Sequence, residues 1–483
     1  MSTDRSTRSS RRRLRQSRAF IGAFAIVVAV LAGAALAGAA ATTAQGPRVT
    51  DVQVDPAAAV AASGSRMIIT TTQSLQTVDA GQVTVTPATP FTVDTSGRSV
   101  GVRFTLPLHD ETAYTVTVAG LEGLGGGPAA EISQSFTTSG IDVYLLRRGQ
   151  DGDTIFRTDL AGETADAVFT HEHIEDFRAT SSHLVVSVRS GEGTGTNGDG
   201  EAELIVTDLD GSNARDLTLP GDGYVSNLQS ADRGELIGYT FSDANLSATT
   251  GRESALFTAS LKDDAADAEP TQIAVAGDDQ RVAEWRFVPD TDSILLLAFS
   301  GSLLLTSATG SDPVALGNAV SIDGIARGSS HAVVERADAR YAIDLTDGTE
   351  QPLVDAAGEE GLPGPVTPMP GEGGGTLRTF AEVENNTTLI STTVSVVRDD
   401  GIATPVFTAP ATDGVLQTCV SPSGRYAAVL VAPDIVDNRY DAYLLPMTSR
   451  PETHIIDLSA TSDDREVSIL SGFDASWCQV PPR

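Results

Sequence analysis

Two cysteines are among the scarcest reactive groups in the chain, and both sit in related phrases. Cys419 lies in Gln417-Thr418-Cys419-Val420-Ser421-Pro422-Ser423-Gly424, and Cys478 in Ser476-Trp477-Cys478-Gln479-Val480-Pro481-Pro482. Each takes the third position of a strand-then-turn pattern, so the two thiols occupy equivalent points on two strands and can meet if those strands are neighbours. A disulfide there persists only in an oxidising compartment, and the loop of about 60 residues that it closes would contribute on the order of 4 kcal/mol by the chain-entropy model. The alternative is two unpaired buried thiols. A redox pair or a metal site would need spacing of the Cys-x-x-Cys kind, which is absent.

His171-Glu172-His173 is the densest metal-like cluster. Residues two apart on a strand share a face, but no third ligand follows and a catalytic zinc needs three. At a connection between sheets, these residues read as a solvated loop. The acidic stretch from Gly191 to Glu203 offers Asn197, Asp199 and Glu201 as weak oxygen ligands for calcium, without the Asp-x-Asp-x-Asp-Gly order of an EF-type loop. Calcium is thus the one cofactor candidate, and no other is expected. The chain has no Gly-x-Ser-x-Gly elbow and no phosphate loop, and its acids are too numerous to nominate a carboxylate pair. Catalytic residues are therefore not assigned. Trp285 and Trp477, each at the second position of the phrase, read as core packing.

The elements that must carry these residues follow from the phrase itself. It begins at Asp176, Asn227, Glu284, Gly324, Val366, Gln417 and Ser476, roughly every fifty residues, and each copy but the last runs into a hydrophobic strand. A multi-strand repeat of this length indicates radially arranged sheets, a β-propeller, over residues 141–483. Three strands from Ile141 to Thr170 have no inner strand before them, and the seventh phrase has no strands after it. The C-terminal strand, Phe473 to Val480, is therefore expected to complete the first blade and close a ring of seven, which leaves no open sheet edge. Six or eight blades are the alternatives. Between residues 46 and 140, six or seven short strands without cysteine predict a β-sandwich.

With Pro87-Ala88-Thr89-Pro90-Phe91, Leu106-Pro107-Leu108, Tyr114-Thr115-Val116-Thr117-Val118 and Ser135-Phe136-Thr137-Thr138, the 46–140 segment resembles the bacterial Ig-like domains of surface proteins, which implies a spacer or adhesive module. Val420-Ser421-Pro422-Ser423-Gly424-Arg425-Tyr426 and the turns Thr158-Asp159-Leu160-Ala161-Gly162 and Thr207-Asp208-Leu209-Asp210-Gly211 resemble the exported propellers of the TolB type. That resemblance implies a periplasmic or cell-surface protein that works by binding other proteins.

The N-terminus supplies the address. Seven arginines lie within residues 1–18, a basic cytoplasmic tail, and an uncharged apolar run follows over 19–41. As a transmembrane helix it would span a bilayer and leave the rest of the chain outside. As a signal peptide it would be cut after Ala35-Leu36-Ala37 or Thr42-Thr43-Ala44. Beyond residue 18 the chain holds 25 basic and 63 acidic residues, a surface that repels nucleic-acid phosphates. Taken together, the sequence predicts an all-β exported protein: a membrane helix, an Ig-like sandwich, and a propeller that binds an envelope protein or cell-wall glycan without catalysis. The alternative is a carbohydrate hydrolase or lyase with carboxylates in the propeller funnel.

Overall fold

The computed structural model describes residues 24–33, 45–190, 201–232, 235–247, 250–262, 268–275, 277, 279–359, 361–371, 373–385, 387–461 and 465–482. The basic tail, Asn197, Asp199 and most of the apolar run lie outside the described residues. The run's described part, residues 24–33, is helical, and no described helix is long and apolar enough to cross a membrane. The chain forms two compact units. The smaller holds the described residues up to Asp55 together with Ser65–Phe104 and Ala113–Thr137; the larger holds Pro56–Gly64, Thr105–Thr112 and the chain from Thr138 onward.

The smaller unit has two antiparallel sheets. One orders its strands as Val49–Gln53, Arg66–Thr71, Ser99–Phe104 and Phe91–Ser96; the other pairs Val83–Thr86, Ala113–Leu121 and Ala130–Thr137. Alternation buries Val100, Val102 and Phe104 on one sheet and Tyr114, Val116 and Val118 on the other. The two faces meet where the Phe104 and Phe136 rings lie 6.1 Å apart.

The larger unit contains seven antiparallel sheets in chain order, the first of three strands and the others of four. The first comprises Asp142–Arg147, Asp153–Asp159 and Ala165–His171; the inner strands of the other six are Ile174–Ala179, Gly223–Ser230, Val282–Phe287, Ser321–Ile325, Leu362–Pro368 and Gly414–Val420. Apolar clusters join six of the seven pairs of successive sheets. Phe177 and Leu184 pack with Ile155 between the first and second sheets, Tyr239 with Leu204 between the second and third, and Trp285 with Leu256 between the third and fourth. Ile322 meets Leu295 between the fourth and fifth, and Leu377 meets Val429 between the sixth and seventh. Trp477 and Leu145 pack with Tyr426 and Ile455, joining the seventh sheet to the first. This cyclic order is that of a β-propeller, and both tryptophans are core residues as expected.

All six inner strands carry a register shift against their neighbour, between Ile174 and Asp176, Ser226 and Gln229, Val282 and Glu284, Ile322 and Gly324, Pro363 and Val366, and Val415 and Gln417. Such bulges bend and twist a strand. Each strand ends at a backbone bond across a connection of varying length, in which Thr180, Ala231, Val288, Ala326, Met369 and Ser421 donate their N–H to the carbonyls of His183, Leu236, Ser293, His331, Gly375 and Tyr426. Two residues before each turn donor lies the side chain that reaches the next sheet. Arg178 Nε donates to Leu228 O at 2.7 Å, Gln229 Nε2 to Trp285 O at 2.7 Å, Arg286 Nη2 to Ile322 O at 2.9 Å and Thr367 Oγ1 to Thr418 O at 3.0 Å. At the next step the link is covalent: Cys419 is disulfide-bonded to Cys478. The turn geometry shifts the phrase in two copies. Its third residue is Gly324 rather than Ala326 on the inner strand of the fifth sheet, and Thr367 rather than Pro368 on that of the sixth. Gly324 makes no side-chain link, because a Cβ there would meet Pro368 Cδ at 2.9 Å.

The C-terminal segment closes the ring, but not as the regular strand expected for Phe473 to Val480. Phe473 exchanges two backbone hydrogen bonds with Leu146, both 2.9 Å, and Ser476 N donates to Tyr144 O at 3.0 Å. Asp474 between them has a φ of 58°, which breaks the extended run. Its carboxylate instead receives Arg178 Nη1 at 2.7 Å, while Asp176 lies 3.1 Å from the same guanidinium. Burial raises the Asp176 carboxyl well above the usual carboxylate range, with Arg178 opposing it.

Candidate functional site

The inner strands of the fifth, sixth and seventh sheets and the closing segment surround a cavity of about 420 Å³. Its wall is shaped by proline: Pro365, Pro368, Pro370 and Pro481 line it. Proline has no N–H and is tolerated only on edge strands, so this part of the wall offers carbonyls and apolar rings but few donors. Among the described residues the one lining acid is Asp323, which lies 2.9 Å from Arg340 Nε, and Arg340 Nη2 is 3.6 Å from Glu335. Burial raises the Asp323 carboxyl, with Arg340 opposing it. The other lining cations are also compensated, Arg327 by Asp232 at 2.8 Å and Arg286 by Glu284 at 3.8 Å. The cavity therefore combines an apolar surface with charges already engaged in ion pairs.

A second feature stands on the seventh sheet, where residues 433–450 connect the strands Tyr426–Ala432 and Glu452–Asp457. Asn438, buried to 1% exposure, clamps the two ends of the loop. Its Nδ2 donates to Pro433 O and Arg450 O, both at 3.0 Å, and its Oδ1 accepts from Arg450 N. The middle of the loop is tied to the first two sheets. Arg148 Nη1 donates to Asp441 at 2.7 Å and to Leu445 O at 2.9 Å, and its guanidinium lies 3.7 Å from the centroid of the Tyr443 ring. Tyr443 donates its hydroxyl to Asp153 at 2.7 Å and stacks on His173 at 3.8 Å.

Glu175 is the keystone of this network. Its carboxylate accepts Leu444 N and Leu445 N, both at 3.2 Å, faces His173 Nε2 at 2.7 Å and pairs with Arg189. Burial acts to raise its pKa, but the His173 hydrogen bond, the Arg189 charge and the two backbone donors hold it down at about 2. With its base fixed in this way, the loop holds Val436 at 92% exposure and Tyr440 at 53%.

The sequence candidates fall unevenly on this geometry. Cys419 and Cys478 are bonded as anticipated. His171-Glu172-His173 is not simply a solvated loop, because His173 is stacked and hydrogen-bonded within the Glu175 network. Sequence reasoning missed that network, since Asp441 and Tyr443 lie 293 and 290 residues from the Arg148 and Asp153 they contact. No group of three or more potential metal ligands is present among the described residues. Of the calcium candidates, only Glu201 is described, as an exposed residue opening the strand Glu201–Asp208.

No protein-family model matches the chain, and no curated protein matches its sequence. Solved structures of similar fold include a putative TolB from Agrobacterium tumefaciens, 15% identical over 56% of this chain and 89% of that one, with a TM-score of 0.37. An oligogalacturonate lyase in complex with manganese is 10% identical over 81% of this chain and 95% of that one, with a TM-score of 0.42. A nidogen/laminin complex is 13% identical over 55% of this chain and 92% of that one, with a TM-score of 0.33. These are likenesses of fold alone.

Proposed function

We propose that the chain is an exported recognition protein, held at the membrane by its apolar N-terminal run or released after cleavage there, whose propeller binds an envelope protein or cell-wall component without catalysis. The observation that carries this reading is the loop over residues 433–450. A connection of that length tied down by buried ion pairs, with Val436 and Tyr440 held in solvent, has already lost the entropy that a docking surface must otherwise give up on binding. Tyrosine is among the residues enriched at the anchoring positions of protein interfaces. The disulfide supports export. The single, ion-paired acid in the channel cavity favours recognition over the two-carboxylate chemistry of a glycosidase.

The test places a photo-crosslinking amino acid at position 440 of the full-length chain in its native envelope. A discrete crosslinked species is expected, reduced at least tenfold by Val436→Asp, and absent when the crosslinker stands at Val314, an exposed residue of the fourth sheet. The same products from positions 440 and 314, or none from either, would reject the reading.

A further inference from the structure

We propose that the crevice between the fifth and sixth sheets is a binding site for a small carboxylate ligand, anchored by the guanidinium of Arg378. Arg378 is half-buried on the second strand of the sixth sheet, Thr376–Glu384. Its Nε donates to Thr376 Oγ1 at 2.7 Å, and among the described residues no carboxylate lies within ion-pair distance of it. That is notable in a chain with 64 acids and 32 bases. Arg286, Arg327 and Arg340, in the adjoining cavity, each have an acid partner.

Among the described residues, the surroundings compensate Arg378 only in part. Burial and the charge of Arg340 both lower its pKa, and Asp355 and Asp323 oppose this only from a distance. A desolvated cation without a partner costs stability, and a site that keeps one is a candidate for binding the missing charge. The crevice also has the room. The interface borders a cavity of about 460 Å³, with Ala326, Ala342, Gly371 and Gly374 on its wall. Among the described residues, Arg398 is a second lining cation and Asp399 the sole lining acid. The planar fork of a guanidinium matches a carboxylate through two parallel hydrogen bonds. With its Nε taken by Thr376, Arg378 can offer such a pair from its Nη groups. The assignment does not rest on the recognition reading and concerns a different surface.

The experiment is calorimetric titration of the full-length chain at constant ionic strength with D-glucuronate, glucose and inorganic phosphate. Saturable glucuronate binding is expected, with none for glucose. Arg378→Gln should weaken it at least tenfold, and Arg378→Lys, which keeps the charge but not the fork, should weaken it less. The unfolding midpoint of ligand-free Arg378→Gln should be unchanged or raised, since the substitution removes an unpaired buried charge; a lowered midpoint would mark Arg378 as a structural residue and overturn the proposal. No saturable glucuronate binding, or equal affinity in Arg378→Gln, would overturn it too. Tighter binding of phosphate than of glucuronate would reassign the crevice to phosphate groups and overturn the carboxylate assignment.

Discussion

Replacing Glu175 with Gln tests whether the 433–450 loop is held by a buried charge. The carboxyl has been brought from 4.5 to about 2, which corresponds to about 3 kcal/mol favouring the folded network. Because the folded pKa is depressed, this contribution is complete above about pH 4.5 and is lost as the pH falls through about 2. In a chain of two compact units a single global unfolding energy is poorly defined, so the effect is best read locally. The N–H groups of Leu444 and Leu445 end on this carboxylate. Their hydrogen exchange, normalised to the unstructured rate, should be roughly 100-fold faster in Glu175→Gln at pH 7, the equivalent of about 3 kcal/mol. At pH 3 only part of the wild-type advantage survives, and the ratio should shrink to roughly tenfold. Equal exchange in the two proteins at pH 7, or a ratio independent of pH between 7 and 3, would refute the assignment of Glu175 as the loop's anchor.

Two further outcomes test the propeller. Cys478→Ser should lower the thermal midpoint of the larger unit, by a stability on the order of 4 kcal/mol for a loop of 59 residues, and should coincide with the reduced wild type in calorimetry; unchanged melting would show that the ring closes without its bond. Gly238→Ala would bring a Cβ to 2.5 Å from the Trp285 ring, so overpacking should cost about 1–3 kcal/mol and shift the emission of Trp285, one of two tryptophans, while an unshifted spectrum would contradict the packing described.

Residues 1–18 and the apolar run 19–41 bear on how the protein is displayed. A tether would set the propeller near the membrane, whereas cleavage would release it, and the recognition proposed for residues 433–450 is compatible with both. The crevice at Arg378 adds a possible small-molecule input on a different interface of the same ring. Occupancy there would neutralise the half-buried Arg378 on the second strand of the sixth sheet.

The sequence by itself determined the repeating unit, the two-residue alternation of its strands and the equivalence of Cys419 and Cys478, because these depend on neighbours a few residues apart. It also carried the expectation that both chain ends contribute to one sheet. It misplaced the phrase at Gly324 and Thr367, where the bulge is read from hydrogen bonds that no residue type announces. The closing segment was expected as a strand because it carries the seventh copy of the phrase and the first blade lacks an inner strand, yet Asp474 turns out of the extended region to reach Arg178, 296 residues away. The Glu175 network and the unpaired Arg378 were invisible for the same reason. An ion pair, or the lack of one, depends on which side chains the ring brings within a few ångströms, and in an acid-rich chain the number of possible partners is too large for spacing to choose among them. Only the closed tertiary structure, which sets Arg148 beside Asp441 and, among the described residues, leaves no carboxylate within ion-pair distance of Arg378, makes that choice.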